Sequence, residues 1–276
     1  MNDRSAAPAP APSLAQADDF LAESEALGDL LETLAPADWD RPTQFKDWTP
    51  NDVVVHLHFW NKAADLSSTD EPAFLMLLQD IMGSIGQGLR PYENAKIAER
   101  GPELLALWRG YFREMAARWR DYDPKRRLKW AGPDMSARSS ISARQMETWA
   151  HAHEVFDLMG VERREADRLQ NVVRIGVNTF GWSHQVNGLE IPPEPPFIRL
   201  TAPSGAEWRY NDPGAASRID GDALSFAQVV TQTRNIADTD LQVSGAVAEK
   251  WMSIAQCFAG PPETPPPPGA RCKQRR

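Results

Sequence analysis

The chain has 276 residues, 42% of them hydrophobic and 25% charged, enough apolar material for one large domain or two ordinary ones around a sizeable core. No apolar run approaches the roughly 18–20 residues that cross a bilayer, and residues 6–12 alternate alanine and proline where a signal peptide would be apolar, so neither a membrane partner nor secretion is expected. Thirty Lys+Arg against 38 Asp+Glu leave a formal charge of −8, which disfavours nucleic acid as a partner, and two cysteines make neither a disulfide framework nor a Cys-x-x-Cys motif, which suits the reducing cytoplasm.

The spacing of Leu14, Ala17, Leu21, Leu27, Leu31 and Leu34 follows a 3.6-residue period and predicts a first amphipathic helix over 13–35, stopped by Pro36. A second start is marked by Thr49 as N-cap, Pro50 in the first helical position and Asp52 in the first turn; Val53, Leu57, Trp60 and Ala64 continue its stripe. Residues 72–88 are helical in pattern but broken by glycines, and read as an insertion. A third helix opens near Pro102, with Leu104, Leu107, Trp108, Tyr111, Met115 and Trp119 on one stripe, and ends before Pro124. A fourth spans 141–159 and stops at Gly160. Four long helices in the first 160 residues predict a bundle.

Residues 165–187 still read as helix. Beyond Pro192 come short strand-like runs at 197–202 and 206–210, separated by the turn signal Pro203-Ser204-Gly205. Two helical stretches, 223–233 and 247–258, each follow a strand candidate, at 218–221 and 241–245. The expected class is therefore α+β: a bundle with its following helix over 13–190, then a smaller α+β domain over 191–260. Residues 1–12 and the Pro-rich, basic stretch 261–276 are expected to be disordered tails.

Chemistry can reside in few places. Of five histidines, His56 falls inside the apolar stripe of the second helix and points into the bundle, while His58 projects the other way. On the fourth helix Glu147 and His151 stand four residues apart on one face, with Glu154 one turn further. Trp149 and Phe156 occupy the opposite face, so this helix is expected to be covered on both sides. An acid and an imidazole inside a buried helix are costly unless paired or bound to a cation. His56, Glu147 and His151 would make a three-ligand set on two facing helices, suited to zinc or a similar divalent metal with one position left open. The same spacing also fits a local Glu/His contact. His153 is roughly 200° from His151 and cannot share a metal with it. His184 has no acidic neighbour and reads as structural. Cys257 lies in an apolar stretch as a small buried hydrophobe, and Cys272 sits in the expected tail, so neither is placed as a nucleophile.

The segments Trp39-Asp40-Arg41-Pro42-Thr43 and Trp48-Thr49-Pro50-Asn51-Asp52-Val53-Val54-Val55-His56-Leu57 resemble the start of the second helix in the mycothiol-dependent maleylpyruvate isomerase family, a branch of the DinB-like metal-binding bundles. Ala143-Arg144-Gln145-Met146-Glu147-Thr148-Trp149-Ala150-His151 resembles that family's fourth-helix signature. The likeness also takes in residues 130–136 and 220–260, nearly the whole chain. It implies a DinB-like four-helix bundle with a C-terminal α+β domain, and a divalent metal, usually zinc, on His56, Glu147 and His151. It further implies a low-molecular-weight thiol held as thiolate, whether mycothiol, glutathione or another, that adds to an activated double bond, allows rotation and is eliminated. The substrate would be a small anionic molecule, Glu154 a support behind the ligands or an acid/base group, and Arg234 either a clamp for a substrate carboxylate or a member of a surface ion pair; the protein would act as a monomer or homodimer. The chain departs from the family where Ala152-His153-Glu154 follows the histidine in place of Gly-Gln-Asp. A metal-binding or ligand-binding protein without turnover is the alternative.

The basic stretch from Arg109 to Lys129, interleaved with Trp108, Trp119 and Trp130, reads as a solvated helix face because its tryptophans follow the core stripe. There is no nucleotide-binding glycine loop and no Ser/His/Asp motif in context.

Overall fold

The computed structural model describes residues 13–274 apart from 85 and 87; the alternating Ala/Pro stretch expected to form an N-terminal tail lies outside them. Four long helices, α1 (Gln16–Leu31), α2 (Pro50–Thr69), α5 (Gly101–Trp119) and α6 (Ala137–Met159), make the bundle. Each of α1 and α2 packs against both α5 and α6, which closes the ring. The stretch read as an insertion is realised as α3 (Glu71–Ser84), followed by the short α4 (Leu89–Lys96); both lean on α2.

Local chemistry sets the helix ends. The Thr49 hydroxyl accepts from the Asp52 amide at 3.2 Å, and the Asp52 carboxylate accepts from the Thr49 amide at 2.9 Å. This reciprocal cap, with Pro50 behind it, fixes where α2 starts. Gly160, at φ 63°, closes α6 in the left-handed region that glycine adopts without penalty. The bundle core contains Phe20, Leu27, Val54, Leu57, Trp108, Phe112, Met115 and Trp119. Trp108 and Trp119 are fully buried and Trp130 packs, partly buried, against the same core, so the tryptophans of the basic stretch follow the core stripe.

The predicted helix over 165–187 is broken in two, α7 (Gln170–Asn178) and α8 (Phe180–Val186). The Thr179 hydroxyl donates back to the carbonyls of Ile175 and Gly176, each at 2.9 Å, and marks the break. A four-stranded sheet follows in the order β4-β3-β5-β6, built from β3 (Phe197–Thr201), β4 (Glu207–Tyr210), β5 (Arg218–Asp222) and β6 (Gln242–Ser244). A two-stranded ribbon, β1 (Arg127–Leu128) with β2 (Met135–Ser136), precedes α6. β3 pairs antiparallel with β4 and parallel with β5; β6 returns antiparallel on β5. α9 (Ala223–Val230) and α10 (Ala246–Ile254) cover it. Its core joins Val172, Phe180, Ile198, Ile219, Phe226 and Trp251 to Met146 and Trp149 of α6. α7 and α8, grouped by sequence with the bundle, thus put apolar side chains into this second core.

α6 is shared by the two cores: Ile141, Ala152, Val155 and Leu158 face the bundle, Met146 and Trp149 the sheet module. Phe156, expected beside Trp149, packs with the bundle core instead. Residues 261–274 correct the expectation of a disordered tail. They form no helix or strand, yet their backbone is tied down: the Pro266 carbonyl accepts from Asn235 at 2.8 Å, the Cys272 amide donates to Gln44 at 2.8 Å, and the Gln274 amide donates to the Asp157 carbonyl at 2.9 Å. Proline removes donors but leaves carbonyls to be paired, and polar side chains of the folded body supply the partners. No described helix is long and apolar enough to cross a membrane.

Candidate metal centre

α2 and α6 face each other in the bundle, and each carries part of one cluster. Nε2 of His56 and Nε2 of His151 both lie 3.6 Å from the same oxygen, Oε2 of Glu147. One nitrogen or oxygen from each of the three residues falls within 4.8 Å of the others, the one such His/Cys/Asp/Glu group among the described residues. Donors bound tetrahedrally at about 2.1 Å stand roughly 3.4 Å apart. The set, made of the three residues the sequence put forward, is one that could hold a divalent metal.

The far side of His56 strengthens that fit. Nδ1 lies 3.0 and 3.1 Å from the two carboxylate oxygens of Glu93, and the Trp60 indole donates to one of them at 2.7 Å. A carboxylate accepting from Nδ1 fixes the tautomer that leaves Nε2 free to ligate, the arrangement that orients metal-binding imidazoles. Glu93 is held by its own helix: Asn94 donates to Asp52 at 2.9 Å, which pins α4 to the first turn of α2. His151 is held by packing. The Trp48 indole stacks on it at 5.3 Å, nearly parallel, and the Phe45 ring meets it edge-on at 5.2 Å. Trp48 reaches this position through Lys46 and Asp47, two consecutive non-glycine residues with φ of 50° and 55°. That left-handed step costs energy, and the Arg90 guanidinium, on the carbonyls of both residues, braces it.

The electrostatics follow from burial and these neighbours. Burial lowers the pKa of His56, but the Glu93 charge and the contact with Glu147 outweigh it and raise it to about 9. Burial would raise Glu147; its bonds to His151 and His56 and the nearby Arg144 hold it well below the usual carboxylate range. His151 is lowered, first by burial and then by the positive charge on His56. Without a metal these neighbours favour a proton on His56, between Glu93 and Glu147, over one on His151. A dication can replace the proton.

Other residues singled out by sequence lie elsewhere. Glu154 is buried, its Oε1 3.5 Å from the Arg271 guanidinium and its Oε2 without a partner. Burial, only partly offset by Arg271, pushes it up to about 7. Arg234 donates to Asp157 at 2.8 Å and to the Thr233 carbonyl at 2.8 Å; its partner is an acid of α6, not the three-donor cluster. His153 turns Nδ1 to the Trp149 carbonyl, to which it can donate, and to the Arg163 guanidinium, from which it can accept, away from His151. His184 bonds the Phe180 carbonyl, the structural role expected. Cys257 is buried, and burial followed by the Glu147 charge pushes its thiol up, away from thiolate. Sequence reasoning missed Glu93, because eight residues of α4 are too few to show a periodicity and nothing local ties it to a histidine 37 positions earlier. It also missed Asn61, which accepts from buried Arg144 at 3.1 Å.

Residues 20–156 match the model of the family described as the mycothiol maleylpyruvate isomerase N-terminal domain. Two uncharacterized proteins, one from each of two Mycobacterium tuberculosis strains, are 35% identical over 244 residues, 88% of this chain and 95% of theirs. Among solved structures, the crystal structure of a mycothiol-dependent maleylpyruvate isomerase superposes with a TM-score of 0.55 at 15% identity, over 84% of this chain and 93% of that one. A histidine-to-alanine mutant of the mycothiol-dependent maleylpyruvate isomerase gives a TM-score of 0.53, also at 15% identity, over 86% and 94%. At that identity the likeness is one of fold.

Proposed function

The chain belongs to the mycothiol maleylpyruvate isomerase N-terminal domain family, and from that premise and the cluster geometry we propose a divalent-metal-dependent enzyme that uses a small thiol to isomerise a small anionic acid. The observation that carries this reading is the convergence of His56, Glu147 and His151 with Glu93 clamping the far nitrogen of His56. Those three residues would hold the metal, zinc by the chemistry of the donor set. When bound, the metal makes a thiol acidic enough to be nucleophilic near neutral pH, and reversible addition of a thiol to an activated double bond permits cis/trans rotation without net change of protons or electrons.

The chain's own residues supply the rest. Glu93 and Trp60 fix the His56 ring; Trp48 and Phe45 fix the His151 ring and keep water from its faces. Glu147 stays anionic in the cluster because two imidazoles and Arg144 surround it. The two cysteines support an external sulfur: Cys257 is buried with a raised thiol, and Cys272 is an exposed free thiol held at Gln44.

The test is to load the full chain with zinc and follow cis-to-trans conversion of maleylpyruvate with mycothiol, glutathione and cysteine in turn. Thiol-dependent conversion that disappears in Glu147→Ala supports the reading. Bound zinc with no conversion under any thiol would assign the chain to the non-catalytic metal-binding alternative.

A further inference from the structure

Arg144 is 3% exposed and, among the described residues, has no carboxylate within 4.0 Å of its guanidinium. The contrast within the molecule is sharp: Arg163, partly buried, is held by Glu23 and Glu165. Arg144 instead donates through Nε to the Oδ1 of Asn61 at 3.1 Å, from α6 across to α2. Nε and Nη2 form the side-on fork with which arginine grips two oxygens. Here the Nε prong is filled and Nη2 is buried without a partner, as is the Nδ2 of Asn61, whose residue is fully buried. Two orphaned donors therefore sit at one contact, on the two helices that carry the metal donors, with Arg144 three residues before Glu147. Buried donors are normally satisfied, and Glu147 and Glu93 act on the guanidinium only as nearby charges, so both donors are left to an acceptor of another molecule.

We propose that Arg144 and Asn61 form an anion subsite beside the metal centre, in which Nη2 and Nδ2 together receive an oxygen of the acid substrate's carboxylate. The inference rests on the reading of the site as one that binds a small acid next to a metal.

Titration calorimetry on the zinc-loaded full chain tests it, with maleate, a dicarboxylate without a thiol, as the probe. N-acetylcysteine, a thiol with a carboxylate, and cysteamine, a thiol without one, are the controls. Maleate should bind the wild type, weaken at least tenfold in Arg144→Gln, and recover in part in Arg144→Lys, with zinc stoichiometry unchanged. Asn61→Asp places a carboxylate of the chain's own against the empty prong. It should raise the melting temperature and abolish maleate binding while leaving cysteamine binding as it was. A purely structural Arg144 predicts the same stabilisation in Asn61→Asp with maleate binding intact, and that result would overturn the inference. So would zinc-loaded wild type that binds no maleate, or a penalty confined to N-acetylcysteine, which would give the subsite to the thiol's carboxylate. Wild type that takes up no zinc would instead sink the underlying reading.

Discussion

Glu93 reaches from a short helix outside the bundle to the far nitrogen of His56, 3.0 Å from Nδ1, while Nε2 of the same ring faces Glu147. The imidazole is held by one acid and aimed at another. Removing the charge that aims it, in Glu93→Gln, should weaken zinc binding about 10- to 100-fold, the usual cost of losing a partner behind a metal-bound histidine. Competition with a chromophoric chelator measures it; unchanged affinity would mean that Glu93 serves only the packing of α4.

Metal uptake should release a proton from His56. Its pKa in the metal-free chain is raised to about 9, and a ligating imidazole must be neutral at Nε2. Zinc affinity should therefore rise with pH up to about 9, and calorimetry at pH 7.5 in buffers of different ionisation enthalpy should return close to one proton released per metal. For folding the sign is opposite. A histidine with a raised folded pKa stabilises the metal-free chain fully below its ordinary value of about 6.5, and that contribution is lost as pH climbs through about 9. Release of no proton would place a neutral His56 in the metal-free state.

Glu154 predicts a second pH dependence. Its folded pKa of about 7 lies above the ordinary 4.5, so the folded chain holds the extra proton in that interval. Stability should fall as pH rises from about 4.5 to about 7, by on the order of 3 kcal/mol when the shift is counted at 1.36 kcal/mol per unit. Glu154→Gln should flatten this slope and raise the melting temperature at pH 8. A variant whose profile still parallels the wild type's would remove Glu154 as its source.

The folding pattern can be probed apart from the site. Gly176 lets α7 approach α9: a Cβ there would stand 2.7 Å from Val230 and 3.0 Å from Phe226, both in the second core. Gly176→Ala should cost about 1–3 kcal/mol through overpacking, despite alanine's better helix propensity. Chemical denaturation reads the difference, and a stabilised variant would contradict the close contact.

The convergence of His56, Glu147 and His151 was legible in the sequence because each has a periodic reason for its direction. His56 lies in the stripe of a capped helix, and Glu147 and His151 stack at i, i+4. The bundle was legible for the same reason, its caps at Thr49 and Gly160 being local chemistry. What was not legible depends on chain folding back over distance. Glu93 and the Arg144–Asn61 contact join residues 37 and 83 apart, and composition at either end says nothing of the partner. The C-terminal stretch misled because polyproline excludes helix and strand but not attachment, which here uses carbonyls and flanking side chains. Arg234 likewise carried a signal for charge, and only the fold could reveal that Asp157 answers it.

Metal content is the most direct measurement. The full chain, purified, stripped with chelator and reloaded with zinc, should hold one equivalent by elemental analysis, and His56→Ala, Glu147→Ala and His151→Ala should each hold far less while keeping the wild-type far-UV spectrum. A folded wild-type chain that retains no zinc or other divalent metal would contradict the account at its centre.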